Sequence, residues 1–521
     1  MADTAERALP STHSDPGRAA MAWRPVLLVA TAVAVVHLAV ATRYGWHRDE
    51  FYFVLCGRHP AWGYADQPPL TPLLARFAAE LPGGVLPLRV LAVAAQTGCV
   101  VLAALLAAEF GGGRRAQTLT AAAIASCPAF VAASLLFGTT VVDQVVWTAL
   151  LVLVARALRL RTAGSWLAAG VTAGVGLENK DTVAVLLAGV VVGLVLLRRE
   201  ALRTTGPWLA AVVTLALAAP NVVWDALHGW PNLRMARVLA AGEGGPLGSL
   251  EQVPVLALLL AGPLLVALWV LGVRWLASPA GRAHRWVLVV AAVSVVVFTA
   301  SGGKAYYPAP ALAGLFAAGA VRVEAAERSR GRVGRVGWVG RVGRVGRVEW
   351  VGRVGRPVTL GVSALLALVI GLPVLPVHAS GVVQRVNPTV IETYGWPGFV
   401  TQVRRAAATL PPGTPIFTSN YGEAGALTIL GPAQGLRQLV VNGQNQYALW
   451  GPPSGRPDVA LCVGEFSPAA LHRAWARVTE VAPVRMGGVK DQETQFHAAI
   501  YVCRQPRGSW DRLWPSLVHY S

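Results

Sequence analysis

Acidic side chains that could do chemistry concentrate in one stretch, residues 44–72, YGWHRDEFYFVLCGRHPAWGYADQPPLTP. It carries Asp49, Glu50 and Asp66 among tyrosines and tryptophans, directly after an apolar run. A carboxylate in a partly dry setting is a candidate general base toward a hydroxyl or amine, because desolvation raises its pKa. The competing reading of Asp49 is a solvated loop acid. Tyr44, Trp46, Phe51, Tyr52, Trp62 and Tyr64 suit stacking on sugar faces and equally suit an aromatic belt at a membrane interface. His47 and His59 in the same stretch are read as ordinary surface histidines.

Three more charges stand out. Asp143 lies at the mouth of an apolar run, where an unpaired acid is costly, and capping the following helix is its alternative role. Lys180 and Lys304 are basic residues in loops otherwise free of Arg and Lys, and a cation at a membrane face calls for an anionic partner. Glu178 or Asp181 would serve for Lys180, whereas Lys304 sits in SGGKAYYP, where paired glycines let backbone approach closely. No Cys/His spacing suggests a metal site. Mg²⁺ or Mn²⁺ on Asp49, Glu50 and Asp66 is left open, but lysines can supply the same electrostatic term and no cofactor is required.

The elements that must position these residues are membrane helices. Only 14% of the 521 residues are charged and 54% are hydrophobic, with mean hydropathy +0.51; soluble domains carry roughly a quarter charged residues. Apolar runs near 25–42, 85–108, 117–135, 141–156, 163–177, 182–197, 207–224, 253–273, 286–300, 308–321 and 358–377 predict a polytopic α-helical membrane protein of about eleven spans. The first run is expected to be retained rather than cleaved, since no AxA-like site follows it. Residues 69–81 suit a short interfacial helix. With a cytoplasmic N-terminal tail (1–24), alternate loops carry Arg114 and Arg115, then Arg156, Arg159 and Arg161, then Arg198, Arg199 and Arg203, then Arg274, Arg282 and Arg285. That bias predicts an extracytoplasmic first loop (43–84) in a multi-pass protein of the plasma or inner membrane. The net charge of +19 resides in these loops and one linker, so nucleic acid is not an expected partner whereas membrane lipids are.

That linker, within 322–357, repeats Gly-Arg-Val; it lacks the prolines of collagen and predicts a flexible cytoplasmic tether near anionic headgroups. After a last span (358–377), residues 380–521 turn more polar. Strands are expected at 415–419, 439–443, 458–464 and 498–504, with helices near 397–409 and 467–477, forming an extracytoplasmic α/β domain. Cys462 and Cys503 lie on two of these strands and either pair or remain buried thiols. NYGEAGAL (420–427) and VNGQNQYALWGPP (441–453) suit either acceptor recognition or docking on the membrane domain.

The order DE-x-Y followed by GYADQPPL resembles the first outer loop of the integral-membrane C-type glycosyltransferases, the group of the protein O-mannosyltransferases and lipid A aminoarabinose transferases. TTVVDQVVWTALLVLVARAL, VGLENKDTVAVLL, APNVVWDALHGWP and GGKAYYPAPALAGLFAAG add weaker likenesses, so that the resemblance covers most of 25–321. It implies inverting transfer of a sugar from a polyprenyl-phosphate donor to a lipid, protein or cell-wall acceptor on the outer face. By that resemblance Asp49 is the base, while Asp66 and Asp143 position acceptor or sugar. Lys180, Lys304 and Tyr307 face the donor phosphate, with Glu50, Tyr52, Tyr64 and Gln67 in support. Gln67 departs from the pattern, since many relatives carry His or Lys there, and phosphate binding shifts toward the lysines, Arg48 or Arg58. The rival readings are a transporter or flippase using the same charges as a path, and a non-catalytic glycan-binding assembly subunit. Internal repeats that would favour a transporter are not evident.

Overall fold

Hydropathy sets the first layer of the structure. A computed structural model describes residues 18–336, 345–456 and 458–521. In chain order, α1 (Trp23–Val40) leads into two short helices, α2 (Arg48–Arg58) and α3 (Leu70–Ala79). There follow α4 (Leu86–Glu109), α5 (Arg114–Ala125), α6 (Pro128–Ala133), α7 (Thr139–Leu160), α8 (Ala163–Leu177) and α9 (Thr182–Leu197). Among the described residues five helices are long and apolar enough to cross a bilayer: α1, α4, α7, Thr205–Leu227 and Ala309–Ser329. Shorter apolar helices, including α8, α9, Pro263–Ala277, Trp286–Ala300 and Pro357–Gly371, accompany them.

Two runs expected as single spans are interrupted. The run at 117–135 breaks between α5 and α6, where Pro128 occupies the first turn and has no N–H to continue the ladder. The run at 253–273 passes through a π-helical turn (Val255–Leu260), then Gly262 at φ 91° and Pro263, before Val266–Ala277 begins. Small residues allow close packing between helices. At Gly170 and Gly174 of α8, an added Cβ would lie 2.7 Å from Ala210 Cα and 2.6 Å from Leu217 Cβ on helix Thr205–Leu227. Only glycine lets these two helices meet so closely.

The two ends of the bundle differ. At one end the arginine-bearing loops gather: Arg159 binds Glu109 at 2.9 Å, Arg115 binds Glu327 at 3.1 Å and Arg198 donates to Ala283 O at 2.9 Å. At the other, α2, α3, the α8–α9 turn and the 301–308 loop come together. Leu70 N donates to Glu178 O at 2.8 Å, and Thr71 Oγ1 donates to Asn179 Oδ1 at 2.6 Å. The repeat linker is helical where described, since one helix runs Leu312–Val336 and the next Val345–Gly371. Residues 337–344, the middle of the stretch read as a flexible tether, lie outside the described part.

The polar C-terminal segment builds one five-stranded sheet in the order β2-β1-β3-β5-β4. Its strands are β1 (Ile416–Thr418), β2 (Val440–Asn442), β3 (Val459–Gly464), β4 (Trp475–Pro483) and β5 (Ala499–Pro506). β1 pairs parallel with β2 and β3, whereas β5 runs antiparallel to β3 and β4. Four strands overlap the expected positions. β4 was not expected, because WARVTEVAP exposes most of its length and its alternation is weak. Cys462 and Cys503 are free, buried thiols on neighbouring strands.

Candidate functional site

The opening stretch folds onto the polar end of the bundle, and its shape follows from a cap. His47 accepts the Asp49 N–H on Nδ1 at 3.1 Å, and Glu50 reaches back to the His47 N–H at 2.9 Å, starting α2 at Arg48. Asp49 is thereby placed in the first turn with its carboxylate toward a cavity of about 500 Å³. Tyr421 donates to Asp49 Oδ1 at 2.7 Å, and the imidazole Nδ1 of His47 stands 3.7 Å from Oδ2.

His47 is not the surface histidine expected. It is 3% exposed, with Nε2 at 3.2 Å from Glu392 Oε2. Burial alone would lower its pKa, but Asp49 and Glu392 outweigh it and the net shift is upward. Glu50 and Tyr64 are both held by internal hydrogen bonds. Both Glu50 oxygens are engaged, by Arg89 at 2.9 Å, by the His47 N–H and by the Phe137 N–H at 3.0 Å. The Tyr64 hydroxyl donates to Cys56 O at 2.9 Å with the ring fully buried. Among the described residues no group of three or more His, Cys, Asp or Glu side chains is arranged to hold a metal.

Asp66 lines a second cavity of about 290 Å³. The Tyr52 hydroxyl donates to its Oδ1 at 2.9 Å and Asn445 Nδ2 to its Oδ2 at 3.1 Å. Burial pushes its pKa up to about 7 despite these two donors, with the nearby Asp49 charge adding to the rise. Gln67 is buried beside it, and its amide finds no nitrogen or oxygen partner among the described residues.

Lys180, Lys304 and Tyr307 line the same second cavity. Lys180 Nζ donates to Thr140 Oγ1 at 3.0 Å and lies 5.5 and 5.1 Å from the ring centres of Tyr306 and Tyr307. Among the described residues it forms no ion pair with Glu178 or Asp181. Its pKa is lowered, chiefly by burial and further by Lys304, against the opposing pull of Asp143. The Lys304 ammonium makes no hydrogen bond or ion pair among the described residues, while the Lys304 carbonyl accepts the Tyr307 N–H at 3.0 Å. Asp143 is buried at the start of α7, where Thr182 Oγ1 donates to its Oδ2 at 2.9 Å. It does not cap α7, which has no side-chain cap.

Thr139 lines both cavities, so they adjoin at the first turn of α7. One holds carboxylates and amides, including Asp49, Glu392, Gln444 and Gln492; the other holds the two lysines. Sequence reasoning missed Tyr306, Glu392, Tyr421 and Asn445. For the last two a signal existed, since both lie in the polar segments singled out at 420–427 and 441–453.

Residues 66–224 match the family described as dolichyl-phosphate-mannose-protein mannosyltransferase, a stretch holding Asp66, Asp143 and Lys180 and beginning after Asp49. No curated protein matches the sequence. Among solved structures, ArnT from Cupriavidus metallidurans bound to undecaprenyl phosphate superposes with a TM-score of 0.60 at 14% identity, covering 92% of this chain and 97% of that one. Its apo state gives 0.59 at 15% identity with the same coverage. The Archaeoglobus fulgidus oligosaccharyltransferase matches at 0.46 and 13% identity, over 79% of this chain and 62% of that one. Residues 66–224 thus carry a likeness to the mannosyltransferase family, and the chain as a whole shares the fold of ArnT.

Proposed function

We propose that the protein is a membrane glycosyltransferase that moves a sugar from a polyprenyl-phosphate donor to a lipid, protein or cell-wall acceptor, with inversion and with Asp49 as general base. The observation that carries this reading is the pair of adjoining cavities, one presenting Asp49 and the other Lys180 and Lys304. The undecaprenyl phosphate bound by the similar ArnT structure supports the donor class. The extracytoplasmic side and the plasma or inner membrane are proposed from the arginine bias, which is consistent with a site at the end of the bundle opposite the arginines.

In this reading an acceptor hydroxyl gives its proton to Asp49 as its oxygen attacks the anomeric carbon from the face opposite the phosphate. The bond to the phosphate oxygen breaks, and polyprenyl phosphate leaves with the electron pair. Lys180 and Lys304 neutralise that charge, and the Tyr307 hydroxyl donates to the same group. Asp66, held by Tyr52 and Asn445, and Asp143, held by Thr182, position acceptor and sugar. Charges gathered at one end of the bundle favour an enzyme over a transport path, which would place them near the midplane.

The test is transfer from a polyprenyl-phosphate sugar by purified protein, with mass spectrometry of lipid-linked sugars and envelope glycans in cells with and without it. Accumulated donor and a missing glycan are expected. Unchanged pools, or transport of the donor without transfer, would refute the reading.

A further inference from the structure

The carboxylates of the first loop are not held by the membrane helices alone. Two donors come from the C-terminal α/β unit: the Tyr421 hydroxyl to Asp49 Oδ1 at 2.7 Å and Asn445 Nδ2 to Asp66 Oδ2 at 3.1 Å. Two further bonds cross the same seam. Gln446 N–H donates to the Tyr52 hydroxyl at 3.0 Å, and Ala65 N–H donates to Gln446 Oε1 at 2.8 Å.

Both donors are rigidly built. Tyr421 is the first residue of helix Tyr421–Leu430, whose start is fixed by a reciprocal cap between Asn420 and Glu423. That helix lies against α2 through glycines; a Cβ at Gly422 would stand 2.7 Å from Arg48 Cβ, and one at Gly425 would collide with Phe51. The Arg48 guanidinium covers the Tyr421 ring at 4.9 Å and Tyr52 packs beside it at 4.8 Å. Burial, followed by the Asp49 charge, holds the Tyr421 hydroxyl well above its ordinary pKa, so it remains a donor. Asn445 takes φ 52° and ψ −121°, a region costly for any residue but glycine. Its N–H bonds His519 O at 3.1 Å and its Oδ1 accepts from Ser521 N at 3.2 Å, which fixes the strained residue under Asp66. Gln444 joins the two donors, since its Oε1 accepts the Tyr421 N–H at 2.7 Å.

We propose that Tyr421 and Asn445 are positioning residues of the transfer site, and that the C-terminal unit is thereby an integral half of that site. Tyr421 occupies Oδ1 of Asp49 and leaves Oδ2, which accepts no hydrogen bond among the described residues, to take the acceptor's proton. Asn445 fixes the rotamer of Asp66 at the mouth of the second cavity. The proposal rests on the reading of Asp49 as the base.

Tyr421→Phe in the full-length protein removes one oxygen and keeps the ring under Arg48. Its kcat should fall by about 10- to 100-fold with donor KM and thermal midpoint unchanged. Asn445→Ala removes a donor to ionised Asp66, so the acid side of the pH–rate profile should move to higher pH. A Tyr421→Phe enzyme with wild-type kcat would overturn the proposal. So would a pair of variants that only melt earlier, with full activity per folded molecule and an unmoved pH profile, because that is the signature of a docking contact. Asp49→Asn, measured alongside, separates the two layers. If it retains activity, the base assignment itself fails; if it is inactive while Tyr421→Phe is normal, only the positioning role fails.

Discussion

At the scale of single residues, position and hydrogen-bond partners separate chemistry from structure. Among the described residues Asp49 keeps one oxygen free of hydrogen bonds at the wall of the larger cavity. Asp49→Asn is therefore expected to abolish transfer, a loss of about 100-fold or more in kcat, while leaving folding intact; near-normal turnover would refute the role. The Lys304 side chain has no hydrogen-bond or ion-pair partner among the described residues, and removing a charge-assisted bond to phosphate should raise donor KM by about tenfold in Lys304→Ala. Unchanged donor kinetics would count against it. Asp66, at about 7, binds a proton in the folded chain where an unfolded aspartate has lost it. Its contribution to stability is thus complete at low pH and declines as pH rises through about 7. Thermal midpoints in detergent should show that decline, and Asp66→Asn should flatten it. Glu50 contrasts with all of these. Its pair with Arg89 is buried on both sides, at 0% and 2% side-chain exposure, so Glu50→Ala strands a guanidinium. A stability loss of about 3–5 kcal/mol is expected, read as early melting rather than as a change in the chemistry of folded molecules.

At the scale of elements, close approach is bought with glycine. The α8 glycines allow contact with helix Thr205–Leu227, whose Asn221 in turn donates to Trp62 O at 3.0 Å and ties that helix to the first loop. Gly170→Leu should cost about 1–3 kcal/mol through overpacking, measurable as a lower melting point and reduced insertion yield. The helices were legible because each carries a long apolar run. Their interruptions were not fully legible. Pro128 and the Gly262–Pro263 pair sit inside runs whose average hydropathy stays high, and averaging hides a break that depends on one missing N–H or one positive φ. β4 escaped for the converse reason. An edge strand with little buried surface has no alternation to read.

At the scale of the whole molecule, the arginine-bearing loops and the candidate site occupy opposite ends of the bundle. Deleting 330–354 is accordingly expected to preserve transfer activity, tested on inserted protein at matched expression; complete loss would show the repeat to be part of the working enzyme. The sequence by itself determined that this is a helical membrane protein, that Asp143, Lys180 and Lys304 call for partners, and that the tail is α/β. Composition and local period carry that information, because burial in lipid and ladder formation act on neighbouring residues. Only tertiary structure decided the rest. Glu50 and Asp49 are adjacent in sequence, yet one is sealed against Arg89 and the other faces a cavity, because successive residues on a helix point about 100° apart. Tyr421 and Asp49 lie far apart in the chain and share a hydrogen bond, a contact set by how the C-terminal unit packs on α2 and by no local pattern.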